Sequence, residues 1–179
     1  MDIIVDDKLV LEATAQKHAA GLFNAVNANR SHLSAFLPWV DHMKSVSDFS
    51  NYIQHCEKLF EDKTDVSFVI IANNTVAGRI GLHYIHPQNR VASIGYWLTK
   101  DFEGEGIITR SCRAIINHAF KEMNLHRLEI KAAVDNSRSQ AIPRKLGFTK
   151  EGILRQAELV NEQFLDIVLY SLLRHDWNP

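Results

Sequence analysis

Residues 101–116, with the sequence DFEGEGIITRSCRAII, decide the fold of this chain. A strand-like run at residues 93–98 (SIGYWL) leads into Gly104 and Gly106, and an amphipathic helical pattern follows at once. Glycine lets a ligand approach the backbone closely, and the first N–H groups of a helix have no partner within the helix. A strand, a glycine turn and a helix start in this order predict a cradle for an anion such as a pyrophosphate.

Two common phosphate-binding motifs do not fit this loop. A dinucleotide fingerprint requires a third glycine where this chain has Thr109, and it opens a βαβ unit, whereas this loop follows several predicted strands. A P-loop requires a lysine followed by Ser or Thr, whereas Gly106 is followed by Ile107 and Ile108. The loop residues alone leave two interpretations open, a tight turn without a ligand and a cradle for another phosphate-bearing molecule.

The composition predicts one compact domain spanning residues 1–179, since 46% of the 179 residues are hydrophobic. The net charge is −1, with 20 basic and 21 acidic residues interspersed, which argues against a nucleic acid or an anionic membrane as partner. Cys56 and Cys112 lie in helix-like patterns and are expected to be reduced core residues of a cytoplasmic protein. The N-terminus lacks the features of a signal peptide, and the longest apolar runs have the length of a strand, so no transmembrane helix is expected.

The hydrophobic periodicity predicts an α/β (α+β) domain with a mixed, mostly antiparallel sheet of about seven strands. Turns at residues 73–74 and 86–90 predict an antiparallel meander, and one strand–helix–strand crossover contains the glycine loop. Thr14 and Ser47 are the predicted N-caps of the first two helices. The predicted strands are 9–13, 66–72, 76–84, 91–98, 127–134, 149–159 and 164–173, and the predicted helices are 15–27, one from 47 onwards, 107–123 and 137–146.

The glycine loop and its surroundings resemble the GNAT superfamily of acyl-CoA N-acetyltransferases. In that family a Q/R-x-x-G-x-G/A signature opens the long central helix and binds the coenzyme A pyrophosphate. Here the signature positions hold Glu103, Gly106 and Ile108, so the middle glycine matches and the two outer positions depart. The resemblance implies a GNAT fold with a splay at the centre of the sheet. The departure at Ile108 has little effect if that position supplies only a backbone N–H.

The two glutamates of the loop depart furthest from what a pyrophosphate site needs. Carboxylates next to a bound phosphate repel it. We therefore expect Glu103 and Glu105 to point outward, with Lys100 or Arg110 offsetting their charge.

A second match to the GNAT pattern lies downstream. Asn136 and Ser139, followed by Lys-Leu-Gly-Phe at residues 145–148, resemble the motif in which an Asn at a strand end holds the pantetheine arm. Taken alone, Asn136 is an ordinary N-cap and Gly147 an ordinary helix stop. Their position after the glycine loop, with one strand between, favours the coenzyme interpretation.

Within the superfamily, the chain resembles the RimJ/RimL-type branch, which acetylates ribosomal-protein N-termini. The likeness rests on Phe-Leu-Pro-Trp at residues 36–39, on Ile-Gly-Tyr-Trp-Leu at residues 94–98, and on Glu158 with Asn161. It implies acetyl-CoA as cosubstrate, a protein N-terminus as acceptor, and a homodimer. A small amine (polyamine, amino acid or drug) is the alternative acceptor, and a non-catalytic coenzyme A-binding module is the alternative function.

The resemblance also implies which residues bind the coenzyme. Backbone groups of the strand before the loop hold the thioester carbonyl and pair with pantetheine. No metal is implied, and His83 with His86 lacks the carboxylate or thiolate support of a metal site. The implied coenzyme-binding residues are Trp97, Leu98, Glu103, Gly104, Glu105, Gly106, Ile107, Ile108, Thr109, Asn136 and Ser139.

The acceptor determines how strong a base the reaction needs. A protein α-amine with a pKa of ~7.8 is about one-third neutral near pH 7.5, whereas a lysine with a pKa of ~10.4 is neutral about 0.1% of the time. This difference in neutral fraction makes the deprotonation of a lysine acceptor ~3.5 kcal/mol more costly in free energy than that of an α-amine acceptor. A weak or water-mediated base therefore suffices for an N-terminal acceptor.

Two side chains are candidates for the base, and one for the proton donor. Glu158 is the first candidate base, because RimL-like enzymes place an acidic residue over the acceptor channel, and its alternative is a solvated surface glutamate. His83 is the reserve base, with a packing role as its alternative. Many GNAT enzymes use a tyrosine seven residues after the motif Asn as the acid, but this chain has Pro143 there. Pro143 removes a bond to the Ser139 carbonyl, and Ser139 becomes the candidate thiolate partner, with a bond to its own helix as its alternative.

Overall fold

The computed structural model describes residues 2–179, and in this part of the chain eight strands form one sheet. The strands are β1 (Ile3–Asp6), β2 (Leu9–Ala13), β3 (Val66–Ala72), β4 (Thr75–His86), β5 (Val91–Leu98), β6 (Arg127–Ala133), β7 (Thr149–Val160) and β8 (Gln163–Leu173). Their order across the sheet is β1-β2-β3-β4-β5-β6-β8-β7. Strands β5 and β6 run parallel and the other neighbouring pairs are antiparallel, so the predicted mixed sheet is confirmed.

Helices cover both faces of this sheet. The α-helices are α1 (Ala19–Ala28), α2 (Arg30–Leu33), α3 (Val46–Glu61), α4 (Ile107–Lys121) and α5 (Ser137–Lys145). Short 3-10 helices lie at Gln16–His18, Val40–His42, Lys100–Phe102 and Arg174–Asp176. Among residues 2–179, no helix combines the length and the apolar character that a bilayer crossing requires.

The sheet has one strand more than the sequence predicted, because Ile3–Asp6 pairs with β2. The Oδ1 atom of Asp6 accepts a hydrogen bond from the Lys8 N–H at 2.9 Å, which closes the tight turn between the two strands. The run is only four residues long and has a side chain exposed at Ile4, so its hydrophobic pattern is weak. An aspartate turn between two short apolar runs was the signal for this hairpin.

Both predicted helix caps are wrong. The oxygen that caps α3 is Ser45 Oγ, which accepts a hydrogen bond from the Asp48 N–H at 3.2 Å. Ser45 outcompetes Ser47 because Asp48, three residues later, accepts a bond from the Ser45 hydroxyl in return. Thr14 instead donates its N–H to the Ser67 carbonyl at 3.0 Å, and the first helical turn is a 3-10 turn.

The sheet separates two hydrophobic cores. Helix α4 packs on one face, where Cys112, Ile115 and Ala119 are buried as the helical spacing predicted. Helices α1 and α3 pack on the other face, over Val69 and Trp97. Cys56 and Cys112 are both buried, which confirms that they are core residues, and neither forms a disulfide within the described residues.

Strands β5 and β6 pair over a short distance only. Their register runs from Val91 opposite Arg127 to Ser93 opposite Glu129, and it ends there. Strand β5 continues to Leu98 without a partner on this side. We call residues 94–98 of β5 the splayed edge. It confirms the central splay that the resemblance implied, and it leaves main-chain donors and acceptors free for a ligand.

Candidate active site

The glycine loop forms the predicted helix start. Gly104 has φ +82° and Gly106 has φ +71°, which is the left-handed region that favours glycine. Gly106 is the N-cap of α4, and no side chain caps this helix end. The first hydrogen bond of the helix runs from the Arg110 N–H to the Gly106 carbonyl at 3.0 Å. The N–H groups of the three residues before Arg110 therefore have no partner within the helix; these residues are Ile107, Ile108 and Thr109.

The side chains of Ile107 and Ile108 point into the core, with 2% and 8% of their surfaces exposed. Position 108 can therefore offer a ligand its backbone N–H and nothing else. This geometry fits a pyrophosphate held by main-chain groups, and the departure from the GNAT signature at Ile108 does not obstruct it.

Glu103 is held away from the helix start by partners that the sequence analysis missed. Its Oε1 lies 3.1 Å from His32 Nε2 and its Oε2 lies 2.5 Å from Arg138 Nη1. The expectation that Lys100 or Arg110 offsets this charge is wrong, because Arg110 forms its ion pair with Asp6 and Lys100 has no ion pair within residues 2–179.

Arg138 brings a cation from the first turn of α5 to the glycine loop. Glu105 is exposed and makes no ion pair within the described part of the chain. The loop therefore carries a local positive charge next to Glu103, and only Glu105 adds an unbalanced negative charge.

The hydrogen-bond alternation of an antiparallel ladder determines which groups of β5 face the splayed edge. The Thr99 N–H donates to the Ala77 carbonyl at 2.8 Å. Because hydrogen-bonded pairs alternate along such a ladder, Trp97, opposite Arg79, directs its backbone groups to β4. The main-chain groups of Tyr96 and Leu98 then face the open side. The predicted contact through Leu98 fits this geometry, whereas Trp97 offers its indole rather than its backbone.

Asn136 and Ser139 open helix α5. The Asn136 Oδ1 accepts the Ser139 N–H at 3.0 Å, so Asn136 is the N-cap of α5. Its side-chain oxygen is committed to the helix, and its Nδ2 group, a donor, is the part left for a ligand. The structural and the coenzyme interpretations of Asn136 are therefore compatible.

Tyr96 replaces the hydrogen bond that Pro143 cannot make. Proline has no N–H, so the Ser139 carbonyl four residues earlier lacks its helical donor. The Tyr96 hydroxyl donates to this carbonyl at 2.9 Å, and the same hydroxyl lies 3.4 Å from Ser139 Oγ. Burial raises the pKa of Tyr96 far above its ordinary range, so the phenol stays protonated. Tyr96 thus holds the first turn of α5, and with it Ser139, against the splayed edge.

Replacing Tyr96 by phenylalanine is expected to lower the free energy of unfolding by about 1–2 kcal/mol, because the Ser139 carbonyl loses its donor. Denaturant unfolding measures this loss. In the same background, Pro143→Ala restores a backbone N–H and should recover part of it. Purely additive effects of the two substitutions would contradict the shared carbonyl.

A cleft of about 260 Å³ brings the three catalytic candidates together with Asn136. Its lining includes Ser139, Glu158 and His83, which are far apart in sequence. Two cationic side chains, Arg79 and Lys131, also line the cleft. The larger aromatic and apolar side chains of the lining are Phe36, Leu37, Trp39, Tyr52, Ile80, Ile94, Tyr96 and Trp97. The rings of Trp39 and Trp97 are 6.0 Å apart between centroids, tilted by 53°.

Glu158 lies on β7, next to the irregular register between Leu154 and Glu158. Much of the residue is exposed, yet the surrounding protein shields its carboxylate enough that burial raises the pKa. A raised pKa brings a carboxylate closer to the proton affinity that a base requires near neutral pH. Asn161 follows in the β7–β8 turn, where its Nδ2 donates to the Ser34 carbonyl at 3.1 Å. This bond ties the turn that follows Glu158 to the segment that carries Phe36.

His83 has a carboxylate partner that the sequence analysis missed. Its Nδ1 lies 2.7 Å from Asp65 Oδ2, and the Asp65 Oδ1 accepts the Tyr84 N–H at 3.0 Å. The imidazole lies over Gly81 and Gly95, where an added Cβ would approach the ring to 3.1 and 3.0 Å. Facing glycines on two adjacent strands were the signal for this packing. His83 thus combines a packed ring with access to the cleft, and both of its interpretations stay open.

His83 and His86 do not form a metal site. Within residues 2–179, no three His, Cys, Asp or Glu side chains come together in a metal-binding arrangement. The His86 Nδ1 accepts the Asn89 N–H at 3.2 Å, in the turn between β4 and β5.

The uncapped helix start at Gly106, the splayed edge and the adjoining cleft together define a coenzyme A-dependent acyltransferase of the GNAT type. Residues 8–149 match the family model described as an acetyltransferase (GNAT) domain, and the chain belongs to this family. It therefore uses acetyl-CoA as its cosubstrate.

Two relatives and a solved structure indicate which branch of the GNAT family this chain is most similar to. The chain is 34% identical over 174 residues to the putative ribosomal N-acetyltransferase YdaF of Bacillus subtilis (strain 168), covering 97% of this chain and 95% of that protein. It is 33% identical over 169 residues to the ribosomal-protein-serine acetyltransferase of Escherichia coli (strain K12), covering 94% of each. A structure of RimL, the ribosomal L7/L12 alpha-N-protein acetyltransferase, in complex with coenzyme A superposes with a TM-score of 0.93 at 31% identity, covering 97% of this chain and 98% of that one. The resemblance to RimJ/RimL-type enzymes is confirmed.

Proposed function

We propose that residues 1–179 form one N-acetyltransferase domain that moves the acetyl group of acetyl-CoA to the N-terminal α-amine of a protein, with a ribosomal protein as the leading acceptor. The observation that carries this proposal is the presence of Glu158 and Ser139 in one cleft beside the splayed edge. The relatives named above are a putative ribosomal N-acetyltransferase, a ribosomal-protein-serine acetyltransferase and the ribosomal L7/L12 alpha-N-protein acetyltransferase, and they match almost the full length of this chain.

The cleft supplies each group that a direct transfer needs. The amine nitrogen attacks the thioester carbonyl, whose oxygen is stabilised by main-chain N–H groups of the splayed edge. Glu158 accepts the proton that the amine loses as the C–N bond forms. The C–S bond then breaks, and the Ser139 hydroxyl stabilises the leaving thiolate by donating a hydrogen bond to it. The proton that Glu158 took from the amine returns to solvent, from which the thiolate is protonated.

A carboxylate base suits an α-amine acceptor better than it suits a lysine acceptor. Burial raises the pKa of Glu158, which makes this carboxylate a better base than an exposed one. An α-amine is already partly neutral near pH 7.5, whereas a lysine must first lose a tightly held proton at a cost of ~3.5 kcal/mol more. The base in this cleft therefore favours N-terminal acceptors.

The three departures that suggested a non-catalytic module do not block the site. Glu103 is paired with His32 and Arg138, and Ile108 needs only its backbone N–H. In place of the tyrosine acid that is missing at Pro143, the Ser139 hydroxyl faces the cleft, and Tyr96 holds it there. An active enzyme therefore accounts for the site better than a module that has lost turnover.

The position of acetylation tests the proposed function. Peptides with a free N-terminus and an internal lysine should release coenzyme A thiol when mixed with acetyl-CoA, and mass spectrometry should place the acetyl group on the α-amine. The same peptides with a formylated N-terminus serve as the control and should not react. Acetylation of the lysine, or turnover of small amines alone, would refute an N-terminal acceptor.

We also propose a homodimer and a cytoplasmic location. Four exposed apolar side chains lie on the β7–β8 hairpin at the edge of the sheet: Ile153, Leu154, Leu159 and Phe164. Such a cluster on an edge strand favours association with a second copy. Light scattering should give twice the mass of the chain, and a monomer at micromolar concentration would refute the dimer.

A further inference from the structure

Arg79 carries a buried charge without a carboxylate partner. The residue lies on β4 and lines the cleft, with 7% of its surface exposed. Within residues 2–179, no Asp or Glu oxygen lies within 4.0 Å of its guanidinium nitrogens. A guanidinium stays charged in proteins, and a buried charge is costly unless it is paired.

The neighbours of Arg79 satisfy only part of its hydrogen-bonding capacity. Nη1 donates to the Tyr52 hydroxyl, and Nη2 lies 3.6 Å from Cys56 Sγ. The guanidinium carbon is 4.8 Å from the centroid of the Tyr52 ring, which gives a cation–π contact. Nε is buried and has no partner. Nε is closed off from the cleft, so a ligand that reaches this end of the cleft would bind the N–H groups left on Nη1 and Nη2.

The acidic groups that line or border the cleft are engaged elsewhere or lie on another strand. Asp65 binds His83 and the Tyr84 N–H. Glu129 lies 2.9 Å from Arg127. Glu158 belongs to β7 and is the candidate base. Within residues 2–179 no carboxylate takes the place next to Arg79, which leaves this place open to the carboxylate of a bound molecule.

Arg79 marks the buried end of the cleft floor. Side chains alternate along a strand, so Arg79, Gly81 and His83 of β4 share one face, separated by ~13 Å from first to last. Trp97 and Gly95 of β5 lie beside the first two. None of the glycine-loop residues 103–109 lines this cleft. The unpaired charge therefore faces the acceptor rather than the phosphates of the coenzyme.

We propose that the acceptor of this enzyme carries a carboxylate within about three residues of its reactive amine, and that Arg79 binds this carboxylate. The inference rests on the proposed function, because it defines the acceptor of that reaction. A planar guanidinium binds a carboxylate through two parallel hydrogen bonds, which fixes direction as well as charge. A polyamine, which carries only positive charge, is disfavoured at such a site.

Acetylation rates for matched acceptors test this inference. Two peptides should be compared that differ only by Asp or Asn at the second or third position, together with the α-amides of aspartate and asparagine, which lack the α-carboxylate. The wild-type kcat/KM should be about tenfold or more higher for the acidic member of a pair. A third peptide with phosphoserine at the same position distinguishes a carboxylate site from a phosphate site.

Substitution of Arg79 should abolish this preference. Arg79→Met should lower kcat/KM for the Asp peptide to the level of the Asn peptide, change the Asn peptide by less than about twofold, and leave the dissociation constant of coenzyme A unchanged. Arg113→Met is the matched control, since Arg113 is exposed, lies over the Trp177 ring and is remote from the cleft. This control removes the same charge and should keep the preference. If Arg79→Met does not fold, Arg79→Lys serves as the test. It keeps the positive charge but loses the planar guanidinium, so the preference for the Asp peptide should diminish.

Several results would overturn the inference. Equal kcat/KM values for the acidic and neutral members of each pair would do so, as would a preference that persists in Arg79→Met or is undiminished in Arg79→Lys. A stronger, Arg79-dependent preference for the phosphoserine peptide would replace the carboxylate by a phosphate. If aspartate α-amide is acetylated in preference to asparagine α-amide while no peptide reacts, the N-terminal acceptor is refuted and the role of Arg79 is supported.

Discussion

Replacing Glu158 by glutamine is expected to lower kcat about 100-fold at pH 7 while leaving coenzyme binding intact. Glutamine keeps the shape of the side chain and cannot accept the proton of the amine. The expected loss lies at the low end for a general base, because an α-amine with a pKa of ~7.8 already supplies part of its neutral form. Steady-state rates with a free N-terminal peptide measure the effect.

The pH dependence distinguishes a base from a residue that only binds the acceptor. In the wild type, burial raises the pKa of Glu158, and the rate falls with decreasing pH as this carboxylate becomes protonated. The glutamine variant relies on solvent as the base, and its deficit should therefore be larger at pH 6.5 than at pH 9. Parallel pH profiles would show that Glu158 is not the base. Glu162→Gln, which removes an exposed charge from the same hairpin, is the control and should change neither kcat nor the profile.

The same substitution has an opposite effect on stability. Because burial raises the pKa of Glu158 in the folded state, the native protein holds this proton more tightly than the unfolded chain. Ionisation therefore destabilises the fold, and the loss develops as the pH rises from the unfolded to the folded pKa. Glu158→Gln should raise the melting temperature relative to wild type more at pH 8 than at pH 4. An activity loss combined with a stability gain is typical of a functional group held in an unfavourable environment.

Local chemistry allowed the loop and the turns to be predicted. Gly104 and Gly106 adopt the positive φ values that only glycine tolerates well, and Asn73 with Asn74 forms the expected turn with φ +49° and +61°. These features depend on a few neighbouring residues, and the sequence contains them in full. The central splay could be predicted only through the resemblance, because no local pattern says where two paired strands part.

The partners of the site residues could not be predicted, because they come from distant parts of the chain. Glu103 meets Arg138 across 35 positions, and Tyr96 meets the Ser139 carbonyl across 43. Such pairs depend on the packing of α5 against the sheet, which single-sequence patterns do not specify. The removal of a hydrogen bond by Pro143 was predicted correctly, whereas its replacement by Tyr96 was not.

The cap of α3 shows a different limit. Ser45 and Ser47 both stand before an apolar helical pattern, and either hydroxyl has the right chemistry for an N-cap. The reciprocal bond between Ser45 and Asp48 selects the first of them. The two serines differ by one side-chain partner. The Ser-x-x-Asp spacing that begins at Ser45 was therefore the signal in the sequence for the correct N-cap.

Replacing Gly106 by alanine is expected to weaken coenzyme A binding about tenfold or more, and to lower the free energy of unfolding by about 1 kcal/mol. The φ of +71° is strained for any residue with a Cβ. A Cβ at this position meets no protein atom within 4 Å, so it would project into the open space beside the free N–H groups of Ile107 and Ile108. That is the space a pyrophosphate needs in order to reach these donors.

Gly147→Ala separates the loss of stability from the loss of coenzyme A affinity. Gly147 has a φ of +79°, and a Cβ there also meets no protein atom within 4 Å, so the backbone strain matches that of Gly106. Gly147 ends α5, however, and lies neither at the start of α4 nor in the lining of the cleft, so the structure gives it the role of a helix stop. Both variants should lose similar stability in denaturant unfolding, while only Gly106→Ala should show weaker coenzyme A binding by calorimetry. Equal affinities in the two variants would mean that the uncapped start of α4 is a structural turn and that the phosphates bind elsewhere.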